Sequence, residues 1–133
     1  KNKRKGTTRG LHYQKRPFGE KKIVICINGT IQDYVVDLRK KSKTFLKIFK
    51  IKLSEKNNKV LLIPEGFAHG FQTLSNNSDV LYFHTQVYKK KFENSLNFQD
   101  PILKINMKIN KESISKKDLD AKFLNKKFIG LSF

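Results

Sequence analysis

Lys22-Ile23-Val24-Ile25-Cys26-Ile27-Asn28, the turn signal Gly29-Thr30, and then Ile31-Gln32-Asp33-Tyr34-Val35-Val36-Asp37-Leu38 decide the fold class. The first run is almost continuously β-branched, as a strand covered on both faces requires, and the second returns along it as the other arm of a hairpin. Working outward, Thr44 to Leu53 carries apolar residues at alternating positions, Asn57-Asn58 marks a turn, and Val60 to Ile63 reads as another strand. Pro64-Glu65-Gly66 turns into Phe67 to Leu74, and Ser75-Asn76-Asn77-Ser78 leads into Asp79 to Tyr88. Short strands punctuated by turns at this spacing predict a sandwich or barrel. Further on, Ile102 to Ile109 predicts one more strand, and Ser115-Lys116-Lys117-Asp118 resembles a capping box opening a short helical turn. No internal repeat or linker interrupts residues 1–133, which read as one all-β unit with a short helical C-terminal segment.

The chain has 133 residues, enough to bury a core without disulfides or metals. Its one cysteine, Cys26, lies inside an apolar run and reads as a small core residue, which fits a reducing, cytoplasmic setting. No apolar run reaches bilayer-spanning length, and no membrane association is expected. The only methionine is Met107, so an upstream segment is expected. The formal net charge of +18 invites a nucleic-acid reading. Arginine is scarce, however, at Arg4, Arg9, Arg16 and Arg39 only among 29 basic residues, and the lysines are scattered. A solvated lysine coat is the better reading, with a field that would still favour a small anionic substrate.

Two segments carry chemistry. Arg9-Gly10-Leu11-His12-Tyr13-Gln14 and Pro64-Glu65-Gly66-Phe67-Ala68-His69-Gly70-Phe71 each place a histidine among glycines and aromatics in a strand. A polar ring there needs a partner or a task. Alternation puts His12 and Gln14 on one face, Phe67, His69, Phe71 and Thr73 on another, and Tyr82, His84, Gln86 and Tyr88 on a third. If those faces line the interior, His12, His69 and Tyr82 converge in a pocket walled by Phe67 and Phe71, fit for a small molecule. A metal site of the usual kind would need a His-X-His near a carboxylate, and His12, His69 and His84 stand singly, so no metal is expected.

These motifs, with Lys22 before a strand, Gly29, Asp33, Val36-Asp37-Leu38-Arg39, Leu81-Tyr82 and Ser115 to Asp118, occur in the order seen in dTDP-4-dehydrorhamnose 3,5-epimerases, which the chain resembles over nearly its whole length. The resemblance implies a jelly-roll cupin, a homodimer, no cofactor and no metal, and a dTDP-sugar as substrate. It implies that His12 removes a proton beside a C4 ketone, that Asp118 orients His12, that Lys22 faces the enolate oxygen, and that Tyr82 returns a proton. His69 would hold that oxygen or a sugar hydroxyl, Arg9 would clamp the pyrophosphate, and Lys117, Glu93, Phe71 and Gln14 would contact the substrate. Two of these have competing readings in the residues themselves: Asp118 could simply serve the helix cap, and Glu93, following Lys89-Lys90-Lys91, could sit in a surface ion pair. Relatives of this type begin well upstream of the Arg9 motif and carry a tryptophan where this chain has Met107. A single-site epimerase, a ketoisomerase, and a non-catalytic sugar-nucleotide binding module are the alternatives.

Overall fold

A computed structural model describes residues 1–132. Strands β1 (Thr7–Gln14), β3 (Thr30–Asp37), β4 (Ile48–Ser54), β6 (Phe67–Thr73) and β8 (Glu93–Ser95) form one sheet in the order β4-β3-β6-β1-β8. The two-residue β9 (Ser113–Ile114) adds to it in parallel beside β1. Strands β2 (Lys22–Asn28), β5 (Val60–Ile63) and β7 (Asp79–His84) form a second sheet in the order β5-β2-β7. One helical turn, α1 (Lys116–Leu119), follows β9.

Alternation along β3 shows how the layers stack. Ile31 and Val35 face the second sheet, where they meet Val24, Cys26, Leu53, Ile63 and Phe71 in the core between sheets. Tyr34 and Val36 face the other way, into a second core built with Leu11, Tyr13, Leu96, Phe98 and Leu103. The residues beyond Leu96 are therefore more than a tail: they cover the large sheet's outer face. Gly70 makes this possible, since a Cβ there would lie 2.8 Å from the Phe98 ring and 2.5 Å from the Arg9 carbonyl.

Four sequence expectations are revised. The expected hairpin does not form: β2 pairs with β5 and β7, β3 pairs with β4 and β6, and the Gly29-Thr30 turn carries the chain from one sheet to the other. Ile102 to Ile109 is not a strand: its burial alternates, with Leu103, Ile105, Met107 and Ile109 turned inward, yet no ladder holds it. Instead the Gln72 side chain donates to Ile109 O and accepts from Ile109 N, at 2.9 and 3.1 Å, and the Tyr34 hydroxyl accepts from Lys108 N at 3.1 Å. Side chains take the place of a neighbouring strand. The strand expected from Thr44 begins only at Ile48, because the Ser42 and Thr44 hydroxyls bond the Asp37 carboxylate, both at 2.6 Å, and Leu46 takes a positive φ of 58°. Similarly, β7 ends at His84, so Gln86 and Tyr88 leave the face assigned to them.

Candidate active site

Between the two sheets lies a cavity of about 380 Å³. The large sheet gives it Arg9, His12, His69 and Phe71, and the small sheet gives it Lys22, Val80, Tyr82 and His84, with Lys1 and Asn2 at the rim. Residues from distant parts of the chain thus meet where the sheets part.

That Arg9 and His12 share this cavity is not what a regular strand would give, because residues three apart point to opposite faces. Arg9 stands opposite Phe71 and His12 opposite His69, so three steps on β1 answer two on β6. This bulge turns both side chains inward while Leu11 and Tyr13 go to the other core. Gly10, at φ +106°, permits it: a Cβ there would lie 2.6 Å from His69 O.

His12 Nε2 and Asp118 Oδ1 are 2.6 Å apart, with the carboxylate side chain 3% exposed. An ionised carboxylate can only accept, so Nε2 carries the hydrogen and Nδ1 holds the free lone pair of the neutral ring. The capping-box reading of Asp118 is half right. The Ser115 hydroxyl accepts from Asp118 N at 3.1 Å and caps α1, whereas the Asp118 carboxylate turns to Gly10 N and His12. Burial works to raise the Asp118 carboxyl, but the bonds and charge of His12, with Ser115 and Gly10, hold it below the usual range.

On the opposite wall, Tyr82 is partly buried, its ring edge-on to His69 at 5.8 Å. Burial, and then the nearby Asp33 carboxylate, push its hydroxyl well above the ordinary phenol value, against an opposing pull from Arg9. It stays a neutral O–H, able to give a proton only to something strongly basic. Lys22 lines the same cavity, its Nζ donating to His12 O at 3.3 Å, with Glu20 Oε1 also at 3.3 Å.

His69 Nε2 bonds Asp33 Oδ2 at 2.8 Å, and both side chains are buried. Asp33 is a site residue that the sequence reading quoted without giving it a role. The available signal was a carboxylate inside a β-branched strand that buries both faces. Burial raises its carboxyl and His69 opposes this. Its Oδ1 has no partner among the described residues. Asp33 thus orients the His69 ring from behind while that ring lines the cavity.

Of the remaining candidates, Gln14, Glu93, Lys117 and Phe67 do not line the cavity, whereas Arg9 does. Gln14 is buried with its amide fully occupied, donating to Phe18 O and Val87 O and accepting from Lys89 N, so it pins two loops rather than facing the pocket. Glu93 and Lys117 pair with each other at 2.6 Å, and the Tyr88 hydroxyl donates to Glu93 at 2.8 Å. Phe67 is not a cavity wall either, since the Arg39 guanidinium lies 4.5 Å over its ring. Arg9 donates from Nε to Asn2 Oδ1 at 2.9 Å, which leaves the outer edge of its fork toward the cavity. Among the described residues no group of three or more His, Cys, Asp or Glu gathers as metal ligands would.

The chain is similar to known proteins of one family. A family model described as dTDP-4-dehydrorhamnose 3,5-epimerase matches residues 1–126. A dTDP-4-dehydrorhamnose 3,5-epimerase of Shigella flexneri is 39% identical over 117 residues, covering 88% of this chain and 65% of that protein. The chain thus spans a little under two thirds of that relative's length. Among solved structures, an epimerase of Legionella pneumophila in complex with dTDP-4-keto-L-rhamnose superposes with a TM-score of 0.90 at 36% identity, over 98% of this chain and 71% of that one. A 3'-monoepimerase of Streptomyces bikiniensis in complex with dTDP-quinovose gives 0.84 at 29% identity, over 91% and 62%. With model, sequence and backbone in agreement over nearly all its length, the chain belongs to the dTDP-4-dehydrorhamnose 3,5-epimerase family.

Proposed function

We propose that this cupin-like domain, residues 1–133, inverts carbons beside the C4 ketone of a dTDP-4-keto-6-deoxy-hexose, by removing and returning protons through an enolate. One observation carries the reading: His12, with its acceptor nitrogen free, and Tyr82, with its proton retained, line the same cavity from opposite sheets.

His12 takes the proton from C3 or C5, and the C–H electron pair passes into the enolate, placing negative charge on O4. Lys22 and His69, backed by Asp33, meet that charge, and because it appears only as the proton leaves, they stabilise the transition state more than the ground state. Tyr82 then delivers a proton to the opposite face of the carbon. A carbanion is a far stronger base than a phenolate, so the high affinity of Tyr82 for its proton is no obstacle. Arg9 holds the diphosphate by its free edge, with Lys1 adding to the field. Glu93 and Lys117 contact the nucleotide side as an ion pair, and Phe71 offers the ring a flat wall. Gln14 supports the site through the two loops it ties.

We further propose that the protein acts in the cytoplasm as a homodimer, without metal or cofactor. The buried free thiol of Cys26 supports the compartment. Among the described residues no helix is long and apolar enough to cross a membrane. For the dimer the support is the outer face of the small sheet. There Leu62 is paired with Ile23 and Ile23 with Phe83, Val60 with Ile25 and Ile25 with Leu81, and Val60, Leu62 and Phe83 are each more than half exposed. A row of aliphatics on a chain otherwise coated with lysine is the kind of patch that a second copy covers.

Turnover in heavy water tests the activity. Deuterium at both C3 and C5 of the recovered sugar supports double epimerisation, deuterium at one carbon restricts it to a single site, and none at either favours a binding module.

A further inference from the structure

Outside the groups used so far, the cavity contains one arrangement that the proposed reaction does not explain. Glu20 holds two donors at once: Oε1 lies 3.3 Å from Lys22 Nζ, and Oε2 lies 2.8 Å from His84 Nδ1. The Glu20 and Lys22 side chains are each only 8% exposed. His84 is the Cα partner of Lys22 across the β2–β7 ladder, lines the cavity, and has its ring 5.9 Å from that of Tyr82. Since a carboxylate only accepts, His84 donates from Nδ1.

We propose that Glu20 and His84 are positioning residues which fix the Lys22 ammonium for the enolate oxygen. This rests on the reading of Lys22 as the cation of the epimerisation. An ammonium has three hydrogens on a flexible four-carbon stem. The His12 carbonyl takes one, and the Glu20 carboxylate, 3.3 Å from Nζ, draws the ammonium to its side by charge, which limits where the other hydrogens point. Glu20 itself precedes β2 and would be free to turn if Lys22 were its only partner. His84, mounted on the neighbouring strand, anchors the second oxygen and so fixes the first. The same bond draws on the carboxylate's charge, so Glu20 orients the ammonium while neutralising it less than an unshared ion pair would.

Two substitutions at one position separate positioning from mere structure. The amide nitrogen of asparagine falls near the place of histidine Nδ1, so His84→Asn keeps the donor to Glu20. His84→Phe keeps a ring beside Tyr82 and loses the donor. With dTDP-4-keto-6-deoxy-glucose as substrate, His84→Phe is expected to lower kcat by about tenfold with KM within about twofold, and His84→Asn to restore kcat to within about twofold of the parent. Glu20→Ala is expected to lower kcat further than His84→Phe, toward about a hundredfold. His84 is partly exposed, so the melting temperature should stay put in both of its variants.

Equal kcat in the Asn and Phe variants, whether both normal or both reduced, overturns the inference while leaving the epimerase reading intact, as does an effect on KM alone. No turnover or hydrogen exchange by the parent protein overturns the epimerase reading and this inference with it. The 15N resonance of the Lys22 ammonium gives a readout independent of turnover. It should be slowly exchanging in the parent and in His84→Asn and broadened in His84→Phe, and three identical spectra would again overturn the inference.

Discussion

Asp118 meets His12 across 106 positions of sequence, Oδ1 to Nε2 at 2.6 Å, while its own backbone N–H is capped by Ser115. The division of labour matters because the helix start keeps its cap whatever happens to the carboxylate. Asp118→Asn should therefore leave stability within about 1 kcal/mol yet lower kcat by roughly a hundredfold or more. An asparagine can present its N–H to Nε2 and reverse the tautomer, moving the lone pair away from the cavity. Steady-state kinetics beside a denaturant melt checks both halves.

On the proposed mechanism, Tyr82→Phe removes the proton returned to the far face and little else, since the ring contacts with His69 and His84 survive. Net epimerisation should fall by about a hundredfold or more. Exchange of substrate hydrogen with solvent at the His12 face should persist. Proton NMR in heavy water separates wash-out from inversion, and loss of both together would remove Tyr82 from the donor role.

Acid should destabilise the fold through three carboxylates. Asp37 is held below its usual value by Arg39, Ser42 and Thr44 against the opposing effect of burial, and Glu93 by Lys117 and Tyr88, again against burial; Asp118 behaves likewise. A depressed folded value means that the stabilisation is complete above the ordinary values of 3.8 for aspartate and 4.5 for glutamate. It is lost as pH falls through the depressed ones. Denaturant titrations at pH 7, 4 and 3 should show this decline, and Asp37→Asn should flatten it while costing on the order of 2 kcal/mol at pH 7.

Phe98 is 1% exposed and meets Tyr34 edge-on at 5.5 Å above Gly70. Phe98→Ala should destabilise by about 3–5 kcal/mol. It should also weaken the hold on Asp118, because the same C-terminal segment carries both. Loss of stability without any change in kcat of the folded fraction would show that the two are uncoupled.

The strands were legible because β-branched runs and Gly or Asn turns act locally: β2 and β3 begin and end within a residue of where Lys22 to Asn28 and Ile31 to Leu38 place them, but which strand each would pair with was not, since the two go to different sheets. The cavity was legible for His12, His69 and Tyr82 because they sit on strands whose alternation can be counted. Arg9 shares the cavity only through a bulge, which comes from the meeting of two strands and has no period of its own. Gln14 has the parity of His12, but its amide satisfies loop backbone that the sequence does not show to be nearby. Ile102 to Ile109 has the burial of a strand and lacks a neighbour, and composition cannot report a missing neighbour. Asp33 is disguised by an apolar setting that alone would suggest core.

The carboxylate behind His12 arrives on the last wrapped portion of the chain. During synthesis on a ribosome, the two sheets could close and the pocket could take its shape while the imidazole still lacked its partner. A protease that nicked the lysine-rich run from Lys104 to Lys117 would have the same effect on a finished molecule: ligand could still enter, but proton abstraction would slow. On the proposed mechanism, intact wrapping of the C-terminal portion acts as a completeness check on the site, readable as turnover.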